Sequence, residues 1–240
     1  MSIPIGVGIG ENMRTTHIST LSLFIGCMGA LSGCTEAGWA IEAKDGLMIG
    51  GYGDNFQYDG DDVRSGAGTA QLDVDADEDT GTFTATWTGT HTAASGEELT
   101  GTFGFEFSMW MDMENHHDGG IAEYQTLHGT TGRGGEVMPE VQSFLAGWGM
   151  SDITLDGETI YSGAHSHFMY TDGARNEDHR IVAEDGTTAY SPAYPNDALV
   201  DTEDRELHYV AHSMDEDLDN FPTHTYWFHL NFENPTVLRS

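Results

Sequence analysis

The chain alternates apolar and polar residues with the period of a β-strand far more than that of a helix. Phe83, Ala85 and Trp87 alternate with threonines, as expected of a strand with one buried and one open face. From Phe103 to Met113, Phe103, Phe105, Phe107, Met109, Met111 and Met113 fall on every second position, predicting one face on which a phenylalanine row continues as a methionine row. Ile153-Thr-Leu155 and Glu158-Thr-Ile160 flank Asp156-Gly157, a strong two-residue hairpin signal. His224 to Phe232 alternates again and stops at Asn234-Pro235. Val137 to Trp148 is the one stretch that reads as a short helix, with Pro139 in its first turn. Glycine-rich or acidic turns separate the runs, and neither a repeat nor a break in composition divides them. The expected fold is all-β: a single antiparallel β-sandwich or jelly roll of about eight to ten strands.

The N-terminal segment departs from this pattern. Met13, Arg14 and His17 precede an apolar run from Leu21 to Leu31, which leads into Leu31-Ser32-Gly33-Cys34. A basic start, a short apolar core and small residues before the cut are the parts of a secretory signal peptide. The run is shorter than the roughly 20 residues needed to span a bilayer. Residues 1–12 hold no base and one acid, Glu11, so Met13 is the better start of such a signal. Leu31 to Cys34 resembles the lipobox of bacterial and archaeal lipoprotein precursors. That resemblance covers about the first 35 residues and implies cleavage after Gly33 and lipidation of Cys34. The expected organisation is a signal peptide over 1–33, a lipidated cysteine and tether over 34–44, and a β-sandwich domain over 45–240. The partner it implies is a membrane, held through the lipid on the extracytoplasmic side. Thr35, where a retained bacterial lipoprotein often has aspartate, leans toward the outer membrane.

Charge narrows the classes further. Forty acids oppose eight bases, a net charge of −32, and Lys44 is the lone lysine. Cleavage after Gly33 would remove one acid and one base, Glu11 and Arg14, and leave that balance unchanged. Phosphate backbones would repel such a surface, which excludes nucleic acid as a partner. A halophilic adaptation accounts for it, since high salt screens the self-repulsion; an acidic surface also concentrates cations. Of the two cysteines, Cys27 lies within the signal and Cys34 would be consumed by lipidation. The expected mature domain has no disulfide and relies on its core.

Candidate chemistry centres on histidine, of which there are twelve. His165-Ser-His167-Phe-Met169 sets three metal-capable side chains at i, i+2 and i+4, on one strand face and about 7 Å apart. His208, His212 and Met214 share strand parity in a second cluster, and a register laying one cluster against the other would complete a site. Imidazole with thioether suits copper, particularly Cu(I). The expected ligands are His165, His167, Met169, His208 and His212, with Met214 and His229 as further candidates. Met109, Met111 and Met113 with His116 and His117 read instead as core filler and a solvated turn.

Other chemistries are less supported. His165-x-His167 followed by Asp172 is similar to the first motif of the cupins, which implies a metal-dependent enzyme. Its acid is aspartate rather than glutamate, however, and a second motif is missing. The run Asp73 to Gly81 resembles a calcium loop but has Glu78 where the loop needs glycine and Thr84 where it needs glutamate. A strand end with an acidic turn is the expectation, with calcium the lesser reading. No Gly-x-Ser-x-Gly is present, and nucleophilic catalysis is not expected. The expected function is therefore a membrane-anchored, extracytoplasmic copper carrier or buffer rather than an enzyme. The alternatives are a surface lipoprotein without metal and a cupin-like enzyme.

Overall fold

In the computed structural model the described residues are 38–49, 63–93, 95–112, 120–128, 131, 133, 141–173, 205–215 and 224–240. They form twelve strands: β1 (Trp39–Lys44), β2 (Leu47–Ile49), β3 (Val63–Ser65), β4 (Ala67–Asp75), β5 (Thr80–Thr92), β6 (Glu98–Trp110), β7 (Ile121–Leu127), β8 (Val141–Leu155), β9 (Glu158–Asp172), β10 (Arg205–His212), β11 (Trp227–Glu233) and β12 (Thr236–Arg239). All strand pairs are antiparallel, and one sheet runs β12-β1-β4-β5-β6-β8-β9-β10-β11-β2-β3. β7 pairs with the first half of β8, and β6 with the second half. The fold is all-β, as the alternation requires, and no α-helix occurs among the described residues.

The sheet curls until its two halves face each other across an aromatic core. Phe83 on β5 stacks on Phe168 of β9 at 5.5 Å and on Tyr209 of β10 at 5.0 Å. β6 and β8 intervene, so a flat sheet would hold β5 and β9 roughly 14 Å apart. Trp39 of β1 likewise meets Tyr170 of β9 at 6.0 Å. Phe103, Phe105 and Phe228 fill the interior between these contacts. The outward side of β4–β6 carries the threonines, which pair by hydroxyl bonds: Thr69 with Thr86, Thr88 with Thr102, and Thr90 with Thr100.

Three local features differ from the sequence reading. The sheet begins at Trp39, within the expected tether, because Trp39, Ile41 and Ala43 alternate inward and are buried. Residues 141–148, expected in a helix, belong to β8. Leu145 to Gly149 are buried consecutively, since both faces of that strand are covered there. Such a run shows no period of two and cannot be told from a helix by pattern alone. The third is a β-bulge between Phe107 and Met109, where Phe107 pairs with Ser151 and Met109 with the adjacent Met150. One extra residue, Ser108, reverses the facing of everything after it. Met109 therefore does not continue the phenylalanine row; it points outward and is 52% exposed.

Two turns match expectation. Asp156 and Gly157 take φ of 51° and 85° and join β8 to β9, as the tight hairpin needs. The acidic run closes the β4–β5 turn. Asp75 Oδ1 accepts the backbone N–H groups of Asp77 and Glu78, and Asp79 Oδ1 accepts those of Gly120 and Ile121. Cys34, Met113, His116 and His117 lie outside the described residues.

Candidate metal site on the histidine face

The candidate ligands lie on the outer face of β8–β11, opposite the aromatic core. Their positions follow from register. β9 and β10 pair Met169 with His208, His167 with Val210, and His165 with His212. The two histidine–methionine clusters are thus laid against each other. β11 adds Asn231 opposite His208, His229 opposite Val210, and Trp227 opposite His212. The face then has two ends, about 13 Å apart along β10.

At one end stand His165, His212 and His224. The ring centroids of His165 and His212 are 5.7 Å apart and nearly perpendicular, and those of His212 and His224 are 4.3 Å apart. His212 also stacks flat on Trp227 at 5.1 Å. Its Nδ1 donates to the Ser213 carbonyl at 2.8 Å, and Nδ1 of His224 donates to the Asp215 carbonyl at 2.9 Å. A carbonyl only accepts, so in the neutral ring of each residue Nδ1 carries the proton and Nε2 bears the lone pair, the form in which histidine binds a metal. A small network holds the two rings in place: Thr225 N donates to Ser213 Oγ at 2.8 Å, and Thr225 Oγ1 donates to Asp215 Oδ2 at 2.5 Å. Bonds from Ser213 and Thr225 lower the Asp215 pKa. Burial lowers that of His212 to about 4, with His224 and His165 adding to the effect. His212 is therefore neutral at neutral pH.

The other end is bonded within itself. His208 places Nε2 2.7 Å from Glu206 Oε2 and Nδ1 3.2 Å from His229 Nε2. Both ring nitrogens of His208 are engaged, and all three residues are buried. Met169 packs in an apolar cluster with Ala122, Leu127, Val141, Ala146 and Trp148. Asn231 is fully buried, and neither atom of its amide is hydrogen-bonded. His167 lies between the two ends, opposite Trp148 on β8 and Val210 on β10. Met214 is exposed just beyond β10.

The structure thus brings His165 to His212 and Met169 to His208, sets His229 beside His208, and places His167 opposite Trp148 and Val210. Sequence reasoning missed His224. Its signal was the β10–β11 hairpin: once His212 pairs with Trp227, continuing the pairing past the strand ends brings residue 224 back beside residue 215. Glu206 was missed although its signal was local: it lies two residues from His208 on the same strand and so shares its face. Among the described residues no three His, Cys, Asp or Glu side chains converge for an ion as they stand. His165 would have to turn toward the His212–His224 pair. Asp172, the carboxylate of the cupin-like motif, sits at the far end of β9, paired with Arg205 at 2.5 Å.

The chain matches no protein-family model, no curated protein and no solved structure. Among the described residues no helix is long and apolar enough to cross a membrane.

Proposed function

We propose that this chain is a lipid-anchored, extracytoplasmic carrier or buffer of a transition metal, with copper the preferred ion. The observation that carries the reading is the pair His212–His224, whose Nδ1 protons are tied to carbonyls and whose Nε2 lone pairs are left available. His165 is the third ligand, and Met214, exposed two residues beyond His212, is a soft fourth donor. Holding the unused ring nitrogen fixes tautomer and orientation, as in metal-ligating histidines generally. His208 and His229 serve the site less directly, because their bond to each other and the contact with Glu206 would have to break before either took a metal. His167 and Met169 stay candidates for a second ion after such a rearrangement. The acidic surface supports cargo loading by raising the local concentration of cations.

Copper added to untagged protein at 100 times its dissociation constant should stabilise the fold by about 2.7 kcal/mol, a rise of roughly 5–10 °C in Tm. His212→Ala with His224→Ala should abolish the rise, whereas His208→Ala should preserve most of it. A native protein whose melt is unmoved by copper or zinc would overturn the reading and leave a surface lipoprotein without metal. A full rise in the His212–His224 variant would overturn the assigned ligands.

The anchor rests on the lipobox resemblance. Cys34→Ala is expected to leave the chain unprocessed or to release it from membranes, because two or more acyl chains are needed for stable attachment. Native protein found free of membranes, with an unmodified Cys34 by mass spectrometry, would contradict it.

A further inference from the structure

The bulge at Ser108 has put a methionine on the histidine face. Across five adjacent strands the register aligns Met109 (β6), Met150 (β8), His165 (β9), His212 (β10) and Trp227 (β11). Directly opposite residues of antiparallel strands point to the same side, with Cβ atoms about 4.5–5.5 Å apart. Two thioethers therefore precede two imidazoles in one unbroken row. The geometry of the bulge is held from several directions. Ser108 Oγ donates to the Met150 carbonyl at 3.1 Å. On the facing strand is Gly149, where an added Cβ would lie 2.0 Å from the Met109 carbonyl oxygen, so a side chain there would force the strands apart. Trp110 turns inward and stacks on Phe107 at 4.6 Å, which commits its neighbour Met109 to the outside. A half-exposed methionine at this point is not filling a core.

We propose that Met109, Met150 and His165 form a soft subsite for Cu(I), continuous with the histidine site, so that the cargo is monovalent copper received at the Met109 side and passed along the row. This rests on the metal-binding reading above. Thioether sulfur is a weak, soft donor that selects Cu(I) over zinc, whereas imidazole accepts both. Two sulfurs and one nitrogen within side-chain reach of each other give a three-donor set, and His165 belongs to both sites. Passage from one to the other needs only ligand exchange at copper, which stays Cu(I) throughout. Met109, the most exposed member, is where a donor of the ion would meet the row, and His212–His224, packed against Trp227, is where the ion would rest.

The test is Cu(I) itself, titrated anaerobically under reducing conditions against a chromophoric chelator, with Zn(II) titrated in parallel. Met109→Leu with Met150→Leu conserves volume and removes both sulfurs, so the fold should persist. Cu(I) affinity should fall by about tenfold or more, while Zn(II) affinity stays at the native level. X-ray absorption of the native protein loaded with one equivalent of Cu(I) should show sulfur as well as nitrogen in the first shell, and that sulfur should be lost in the double variant. Unchanged Cu(I) affinity in the double variant, or a sulfur-free first shell in the native protein, would overturn the methionine subsite and leave the histidine site standing. If native protein bound neither Cu(I) nor Zn(II), the metal reading itself would fall and this proposal with it.

Discussion

Phe83→Ala should destabilise the fold by about 3–5 kcal/mol, the usual cost of emptying a buried phenylalanine site, while Thr84→Ala beside it should cost under about 1 kcal/mol. Phe83 is wholly buried where the curled sheet closes on itself. It stacks on Phe168 and Tyr209 and meets Phe107 edge-on at 5.5 Å. Its removal empties the seam between the two halves, and those halves cannot close the gap without unbending the sheet. Thr84 points the other way and is exposed. Denaturant titration in high salt would give both values, with self-repulsion screened in each case. Equal losses for the two variants would mean that β5 does not carry the seam, and the curl inferred from the ring contacts would be wrong.

The same strand shows why much of the fold was legible. Where apolar and polar residues alternate, the pattern reports both strand and facing: β5 and the start of β6 have one open face, and β11 keeps the alternation because its outward His229 and Asn231 are polar although buried. Legibility failed where that condition failed. β8 is covered on both faces over Leu145 to Gly149, so it lost its period and mimicked a helix. The Phe107–Met109 bulge breaks the period without any mark in composition: Ser108 is an ordinary strand residue, and only pairing with β8 reveals that it is unmatched. An error of one residue there moved Met109 from the surface to the core. The histidine face was legible in its parts, because His165, His167, His208 and His212 share parity on their own strands. Which histidines meet depends on register between strands far apart in sequence, and that is set by the whole sheet. Hence His165 opposite His212 could be anticipated only as one possible register, and His224 emerged only with the hairpin that returns it.

Acid should also act on a buried histidine on the core side of the sheet. His91, on the inner side of β5, stacks on Phe228 at 3.9 Å and meets Phe103 edge-on at 6.2 Å. Burial, with Arg64 nearby, lowers its pKa from 6.5 to about 3. Arg64 is fixed there through Nη1, which donates to the Thr90 carbonyl at 2.9 Å. The folded state thus takes up the proton later than the unfolded chain, whose histidine titrates near its ordinary value of about 6.5. Between those two values the unfolded state binds more protons, so His91's contribution is complete above about pH 6.5 and is lost as pH falls toward about 3. At about 1.4 kcal/mol per pKa unit, lowering the pH from about 7 to about 4 should cost the native protein about 3 kcal/mol through this one group. His91→Phe keeps an aromatic ring against Phe228 and cannot titrate, so its stability should fall less steeply over the same range. Comparing the two proteins in molar salt cancels the carboxylates and His212, which titrate in both. Parallel pH profiles for native and His91→Phe protein would show that His91 is protonated in the fold at no cost, and would overturn its assignment as a buried neutral ring.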